Sequence, residues 1–147
     1  MTIIAYRNKI LACDSKVSSG SAHWAAMKKI KKIKGWLIGA AGDLDAVSMF
    51  LQKFNPETIK DNKHPLVGLP NTLEAIIVDP TGVIYYMENS GMLSAITTDG
   101  FIAIGSGCEA AMGAMAAGAT AREAVKIAIK YGEDCGGKAH YIRLGKA

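Results

Sequence analysis

The chain has 147 residues, of which 50% are hydrophobic and 20% are charged, and its net charge is +4. This length and composition exclude a disordered protein and predict a single domain, residues 1–147, with a substantial apolar core. Because no apolar run is long enough to cross a bilayer and the start lacks a secretory signal, we expect a cytoplasmic protein with no membrane partner.

The first third of the chain is predicted to begin with a β-hairpin. Two short runs of β-forming residues, TIIAYR and ILACD, flank the dipeptide Asn8-Lys9, which is the pattern of two strands joined by a tight turn. The polar segment VSSGSAHWAA is interpreted as a loop. A lysine-rich stretch then leads into WLIGAAG, an apolar run bounded by glycines that indicates a strand buried on both faces.

The middle third is predicted to hold a helix and a second hairpin. In DLDAVSMFLQKF the apolar residues recur at helical spacing and acidic residues occupy the first turn, which favours an amphipathic helix. The segment NPETIKDNKHPLVGLPN is polar and broken by prolines, and it is interpreted as a surface excursion or a short helix with flanking loops. TLEAIIVD and VIYYME are predicted to pair across a turn at Pro80-Thr81-Gly82.

The last third is predicted to hold strands followed by two helices. LSAITTDG and FIAIG indicate strands, and CEAAMGAMAAGA indicates a helix despite its glycines. A second helix begins at a capping box, in which Thr120 and Glu123 satisfy each other's backbone N–H groups. Its apolar stripe is expected at Ala124, Ile127, Ala128 and Tyr131. A glycine turn and one more strand end the chain.

The order of these elements predicts the fold class. Single strands do not alternate with single helices, which is the pattern of a parallel sheet, and hairpins dominate instead. We therefore expect an α+β protein in which antiparallel sheets have their apolar faces covered by helices, arranged in layers.

Four fragments carry a resemblance to a known family. MTIIAYRNKILACD, MKKIKKI, LIGAAGD and AIGSGCEAA resemble, in order and approximate spacing, the proteasome β-subunits and HslV peptidases, which are N-terminal nucleophile hydrolases. The resemblance extends along nearly the whole chain. It implies a four-layer αββα sandwich with two antiparallel sheets, and the activity of a threonine-type peptidase within a self-compartmentalised protease.

The resemblance implies that Thr2 is the nucleophile, exposed by removal of Met1. A free α-amino group has an unperturbed pKa of roughly 7.7–8, so the same residue supplies both the attacking hydroxyl and its base. Lys29 matches the lysine that the family places beside the threonine, and Asp14 matches the aspartate that orients it. A nearby ammonium favours the unprotonated amine and the alkoxide-like hydroxyl. Because the lysine-isoleucine pair occurs twice, Lys32 remains the alternative to Lys29.

Two further positions match the family pattern. Gly42 corresponds to the residue whose N–H stabilises the oxyanion, and its separation from Lys29 fits the family better than its separation from Lys32. The alternative role of Gly42 is a tight strand-to-helix connection. Ser106 matches a serine that assists proton transfers at the terminal amine, and its alternative role is that of a helix N-cap.

One segment departs from the family pattern. In KYGEDCGG, Gly132 takes the place of an aspartate and Cys135 that of a hydroxyl residue, while Asp134 is displaced by two residues. This departure favours the alternative of a catalytically inactive proteasome-like assembly or scaffold protein. Retention of Met1 would favour it as well, because it would block the amine.

The resemblance also implies partners. These are a peptide or unfolded-protein substrate, further copies of the chain in stacked homo-oligomeric rings, and an ATP-dependent unfoldase. We expect no metal or organic cofactor in the chemistry. The run MKKIKKIKG leaves basic nucleic-acid binding as a distant alternative, but it has no interleaved arginines or aromatics, so we expect a solvated face and no nucleic-acid partner.

Overall fold

The chain folds into antiparallel strands and three helices, which a computed structural model describes over residues 2–19, 22–65, 72–132 and 135–145, with side chains described at all of these except 18, 19 and 22–26. The strands in these ranges are β1 (Ile3–Arg7), β2 (Ile10–Cys13), β3 (Lys16–Ser19), β4 (Ala22–Ala26), β5 (Ile30–Ile33), β6 (Trp36–Gly42), β7 (Leu73–Val78), β8 (Ile84–Glu88), β9 (Ser94–Ala95), β10 (Phe101–Gly105) and β11 (His140–Arg143). The helices are α1 (Leu44–Lys53), α2 (Cys108–Ala116) and α3 (Ala121–Tyr131), with a short 3-10 helix at Pro56–Thr58.

The strands form two antiparallel sheets. One has four strands in the order β10-β1-β2-β11, and the other has five in the order β5-β6-β7-β8-β9. A separate ribbon pairs β3 with β4, so the interpretation of VSSGSAHWAA as a loop is wrong. Serine and alanine have weak intrinsic strand preference, and pairing between neighbouring segments decides the outcome here.

Three apolar clusters define four layers. The first lies between α1 and the five-stranded sheet and is built around Phe50 and Ile77. The second lies between the two sheets and includes Ile4 and Ile76, and the third packs α2 and α3 against the four-stranded sheet. The predicted αββα sandwich with two antiparallel sheets is therefore confirmed.

The predicted helices are present, but the apolar stripe of α3 is partly wrong. Ile127 is 38% exposed and Tyr131 is 73% exposed. The buried residues follow the spacing i, i+3, i+4, i+7, and they are Ala121, Ala124, Val125 and Ala128. Small side chains let the helix approach the sheet closely, whereas the larger apolar residues lie at the margin of the contact. The segment LSAITTDG contributes only the two-residue strand β9.

One end of the sandwich collects the start of β1, the start of β7, the end of β6 and the end of β10. The ladder places Ile3 opposite Gly105 and Gly42 opposite Leu73. We call this the Thr2 end, and the opposite end, which holds the turn at Asn8-Lys9, the hairpin end. None of the three described helices has the length and apolarity that a bilayer crossing requires.

Candidate active site

Asp14 and Lys29 form a buried ion pair at the Thr2 end. Lys29 Nζ lies 2.9 Å from Asp14 Oδ1, and the two side chains are 5% and 0% exposed. The carboxylate also accepts hydrogen bonds from the backbone N–H of Ile3 at 3.1 Å and of Gly136 at 3.1 Å. Because a buried charge is costly unless it is paired and hydrogen-bonded, Asp14 fixes the lysine, the start of β1 and the C-terminal glycine segment around one point.

Thr2 lies directly before β1 and is held through its backbone. Its N–H donates to Ser106 Oγ at 3.3 Å, and its carbonyl accepts from the Gly107 N–H at 3.3 Å. Gly105 has a φ of +96°, and a Cβ added there would lie 2.1 Å from the Thr2 carbonyl oxygen. Only glycine permits both that conformation and that contact. Gly105 therefore lets the end of β10 pack directly against the Thr2 backbone.

The two candidate lysines lie in different places. Lys29 and Thr2 line the same small cavity of about 70 Å³. Lys32 is exposed, and its Nζ donates to the carbonyl oxygens of Arg143, at 3.0 Å, and Gly145. The structure therefore brings Lys29 to Thr2 and directs Lys32 toward the C-terminal segment.

Ser106 does not serve as the helix N-cap that its sequence context allows. The N-cap of α2 is Gly107. The Ser106 hydroxyl accepts from the Thr2 N–H and also lies 3.4 Å from the Thr2 carbonyl oxygen, to which it donates. Its side chain is thus directed at Thr2.

The backbone N–H of Gly42 points toward the Lys29 edge of its sheet. Alternate residues of a strand direct their N–H groups to the same side. The Ala40 N–H donates to the Lys29 carbonyl at 3.2 Å, and the Asp43 N–H donates to Thr72 on the other side at 3.2 Å. A Cβ on Gly42 would lie 2.2 Å from the Thr72 carbonyl oxygen, so the close strand-to-helix connection requires glycine as well.

A second, larger cavity is also lined by Thr2. Its volume is about 530 Å³, and Thr2, Gly42 and Ser106 line it. The acidic residues of its wall are Asp43, Glu74 and Glu88. Thr2 and Gly42 line both cavities.

Glu74 is the site residue that sequence reasoning missed. Its Oε1 accepts from the Gly105 N–H at 3.0 Å, and its Oε2 accepts from the Tyr86 hydroxyl at 2.8 Å. Burial and the neighbouring Glu74 carboxylate raise the pKa of Tyr86, so the phenol stays a neutral donor. The available signal was a single charged residue inside the apolar strand LEAIIV.

Two buried thiols near this end, those of Cys13 and Cys135, lie in surroundings that favour their protonated form. Burial raises the pKa of Cys13 to about 11. Burial and the Asp14 carboxylate raise the pKa of Cys135, whose side chain is hydrogen-bonded to Ser106. Because the thiolate is the reactive form of cysteine, neither residue is activated.

The segment that departs from the family pattern lies between α3 and the glycine pair. Gly132 is the C-cap of α3, and a Cβ there would lie 2.5 Å from the Ala128 carbonyl oxygen. An aspartate cannot occupy this position without a backbone shift. Asp134 and Met1, which also entered the sequence argument, lie outside the described residues.

Searches against family models and against curated proteins find no match. Solved structures do match the fold. HslV from Trypanosoma brucei is 16% identical with a TM-score of 0.69, and the match covers 96% of this chain and 97% of that one. BPH from Thiobacillus denitrificans in complex with epoxomicin is 15% identical with a TM-score of 0.67, covering 99% of each chain.

A third structure widens the set of similar folds. The Anbu Gly-1 mutant from Hyphomicrobium sp. strain MC1 is 13% identical with a TM-score of 0.68, covering 97% of this chain and 81% of that one. The chain has the proteasome/HslV-type fold. At these identities the likeness concerns the fold alone, and chemistry must be argued from the residues at the Thr2 end.

Proposed function

We propose that the chain is a threonine-type peptidase subunit, with residues 1–147 forming one proteasome/HslV-like domain. The observation that carries this proposal is the position of the Lys29 ammonium. The ammonium is held by Asp14 at 2.9 Å, and Lys29 lines the same small cavity as Thr2. A buried ion pair contributes little net stability to the fold. We therefore assign the Lys29 ammonium the role of tuning the proton affinity of the neighbouring Thr2 groups.

The proposed reaction begins with removal of Met1, which frees the Thr2 amine. The Thr2 hydroxyl attacks the substrate carbonyl while its proton passes to this amine, and a tetrahedral intermediate forms. The Gly42 N–H stabilises the oxyanion. The intermediate collapses to an ester as the proton passes to the leaving amine, and water then attacks the ester to release the acyl group and regenerate Thr2.

The neighbouring groups tune the proton transfers. The Lys29 ammonium, oriented by Asp14, favours the unprotonated amine and the alkoxide-like hydroxyl. Ser106 Oγ, 3.3 Å from the Thr2 nitrogen, accepts and returns a proton at the amine. All groups in this scheme belong to the chain or to water.

Assembly into homo-oligomeric rings and delivery of unfolded protein by an ATP-dependent unfoldase belong to the same proposal. Enclosure within the rings leaves the peptidase site accessible only to unfolded chains that the unfoldase threads into them. HslV and Anbu have the same fold as this chain, and ring assembly is proposed here by analogy with them.

A second candidate function is a catalytically inactive assembly or scaffold protein. The observation that favours it is Gly132, where contact with the Ala128 carbonyl oxygen excludes an aspartate. An active site without that carboxylate would depend on Ser106 and Lys29 alone for support of the amine.

The test is labelling of the purified protein with epoxomicin, the ligand of the BPH complex, read by intact mass. We expect a species lighter by one methionine, which gains the mass of one epoxomicin. Thr2→Ala should abolish labelling without changing the melting temperature, while Thr97→Ala, at an exposed threonine, should label like the wild type. Retention of Met1 with no labelling would favour the scaffold, and full labelling of Thr2→Ala would exclude Thr2 as the nucleophile.

A further inference from the structure

We propose that Glu74 is a positioning residue for the reaction at Thr2, acting through the backbone of Gly105 and Ser106. The inference rests on the proposed function and extends it to a residue of the other sheet. Glu74 is the second residue of β7, in the five-stranded sheet, whereas Gly105 ends β10, in the four-stranded sheet. Its Oε1 accepts from the Gly105 N–H at 3.0 Å, so one side chain bridges the two sheets at the site.

A bridge of this kind has a specific structural consequence. Facing sheets pack about 10 Å apart through apolar side chains, which interdigitate but make no directional bonds. The contact between the Glu74 carboxylate and a backbone N–H is directional and charge-assisted, and such bonds are stronger than neutral ones. It therefore fixes the end of β10 against β7 at one definite position.

That position is the one on which Thr2 depends. Gly105 lies opposite Ile3 in the ladder and contacts the Thr2 carbonyl oxygen. The next residue, Ser106, directs its hydroxyl to the Thr2 nitrogen at 3.3 Å. Gly105 and Ser106 are adjacent in the chain, so only a few covalent bonds separate the Gly105 N–H from Ser106 Oγ. A displacement of this N–H therefore moves Ser106 Oγ away from the Thr2 nitrogen.

The carboxylate itself is held in place. The Tyr86 hydroxyl donates to Glu74 Oε2 at 2.8 Å, which leaves Oε1 for Gly105. Tyr86 lies on β8 and Glu74 on β7, so the two strands of one sheet together orient the group that bonds to the other sheet. Glu74 need not touch the reacting atoms, and its role is to set where Ser106 meets the amine.

The experiment measures the rate of epoxomicin labelling of the Met1-free protein as a function of pH. Glu74→Ala removes both the acceptor and the charge, and we expect labelling to slow about 10-fold to 100-fold, as a displacement of about 1 Å does elsewhere. Glu74→Gln keeps an oxygen that can accept from Gly105, and it should recover most of the rate. Tyr86→Phe keeps the carboxylate but removes the hydroxyl that orients it. Its labelling rate should lie between those of Glu74→Ala and Glu74→Gln.

Two readouts separate positioning from general destabilisation. The midpoint of the pH–rate profile reports the Thr2 amine, and it should move in Glu74→Ala because Ser106 no longer meets that amine. Hydrogen exchange at the Gly105 amide should accelerate in the same variant. Glu57→Gln removes a negative charge at an exposed ion pair with Lys34, and it should change neither readout. If Glu74→Ala does not fold, the comparison of Glu74→Gln with Tyr86→Phe carries the test.

The outcomes distinguish this inference from the proposed function. If the wild type labels and Glu74→Ala labels at the same rate with the same pH midpoint, Glu74 has no positioning role, while the peptidase proposal stands. In the event that Glu74→Ala does not fold, a Tyr86→Phe variant with the rate and pH midpoint of the wild type overturns the inference, because Glu74→Gln is expected to keep most of the wild-type rate. A wild type that loses Met1 and still does not label overturns both.

Discussion

The two ends of the sandwich carry cavities of similar size but different chemistry. The cavity at the Thr2 end has a volume of about 530 Å³, and the one at the hairpin end, lined by Lys9, Pro80 and Gly145, has a volume of about 420 Å³. Volume alone therefore does not identify a site. The Thr2 end has a buried ion pair, a hydroxyl directed at a backbone nitrogen and glycines in close contact, whereas Lys9 and Pro80 at the hairpin end are exposed turn residues.

The two ends also differ in the energetic cost of the groups that they bury. Burying Asp14 and Lys29 contributes little net stability compared with apolar residues of the same volume, and the hairpin end forms without such a pair among its described lining residues. Matched substitutions at the two ends test whether the Thr2 end alone carries chemistry.

The largest expected effect is at the two lysines. Lys29→Met leaves the Asp14 carboxylate buried without its ammonium, which should cost about 3–5 kcal/mol of unfolding free energy. The labelling rate should fall about 100-fold or more, as for the loss of a group that assists proton transfer. Lys32→Met, at an exposed lysine near the hairpin end, should change stability by about 0.5 kcal/mol or less. Urea unfolding and the epoxomicin labelling rate measure the two effects.

The result that would remove this distinction is equal labelling of the two lysine variants at temperatures where both are folded. Lys29 would then be a structural partner of Asp14 with no influence on Thr2.

The second pair of variants uses two glycines with nearly the same φ. Gly105 and Gly100 have φ values of +96° and +95°, but a Cβ on Gly100 meets nothing within 4 Å. Gly100→Ala should cost of order 1–3 kcal/mol for backbone strain alone. Gly105→Ala adds the contact with the Thr2 carbonyl oxygen, so it should unfold at lower urea and lose labelling. Equal labelling in both variants would show that Thr2 tolerates displacement.

A smaller effect is expected at Cys135, whose thiol is hydrogen-bonded to Ser106. Cys135→Ser should strengthen the hydrogen bond by about 1 kcal/mol, which corresponds to about a fivefold increase in labelling rate at most. Cys108→Ser, in the third apolar cluster, is the matched control and should leave the rate unchanged. Slower labelling of Cys135→Ser would indicate that the packing of the thiol matters more than its hydrogen bond.

The sequence predicted those elements that depend on contacts between residues close together in the chain. The hairpins of β1 with β2 and of β7 with β8 follow from local signals, since turn residues and apolar runs lie within one segment. The β3–β4 ribbon was missed because its residues have weak strand preference. Tertiary contact with the sheet buries the small residues of α3 and leaves Ile127 exposed, which the periodicity alone did not separate.

The site shows the same limit. The resemblance selected Asp14, Lys29 and Ser106 as candidates, but it left Lys32 open because both lysines precede an isoleucine. Residues three apart in an extended chain face opposite ways, and only the pairing of β5 decides which one faces Asp14. The charge inside LEAIIV marks Glu74 as unusual, but its partner could not be predicted, because Gly105 is 31 residues away in the other sheet.

The smallest expected effect is at His64, which lines neither the cavities at the Thr2 end nor the one at the hairpin end, and it should leave Thr2 untouched. Burial lowers the pKa of His64 below its ordinary 6.5, and its Nε2 accepts from the Asn55 N–H at 2.9 Å, so the folded state holds the neutral ring. The unfolded chain therefore binds more protons below about pH 6.5, and stability present above that value is lost as pH falls toward the folded pKa.

The urea midpoint should drop between pH 7.5 and 5.5 in the wild type and in His140→Gln, and it should drop less in His64→Gln, which does not titrate. An equal drop in all three would assign the pH dependence to other groups. A change in the epoxomicin labelling rate of His64→Gln at pH 7.5 would mean that His64 is coupled to Thr2.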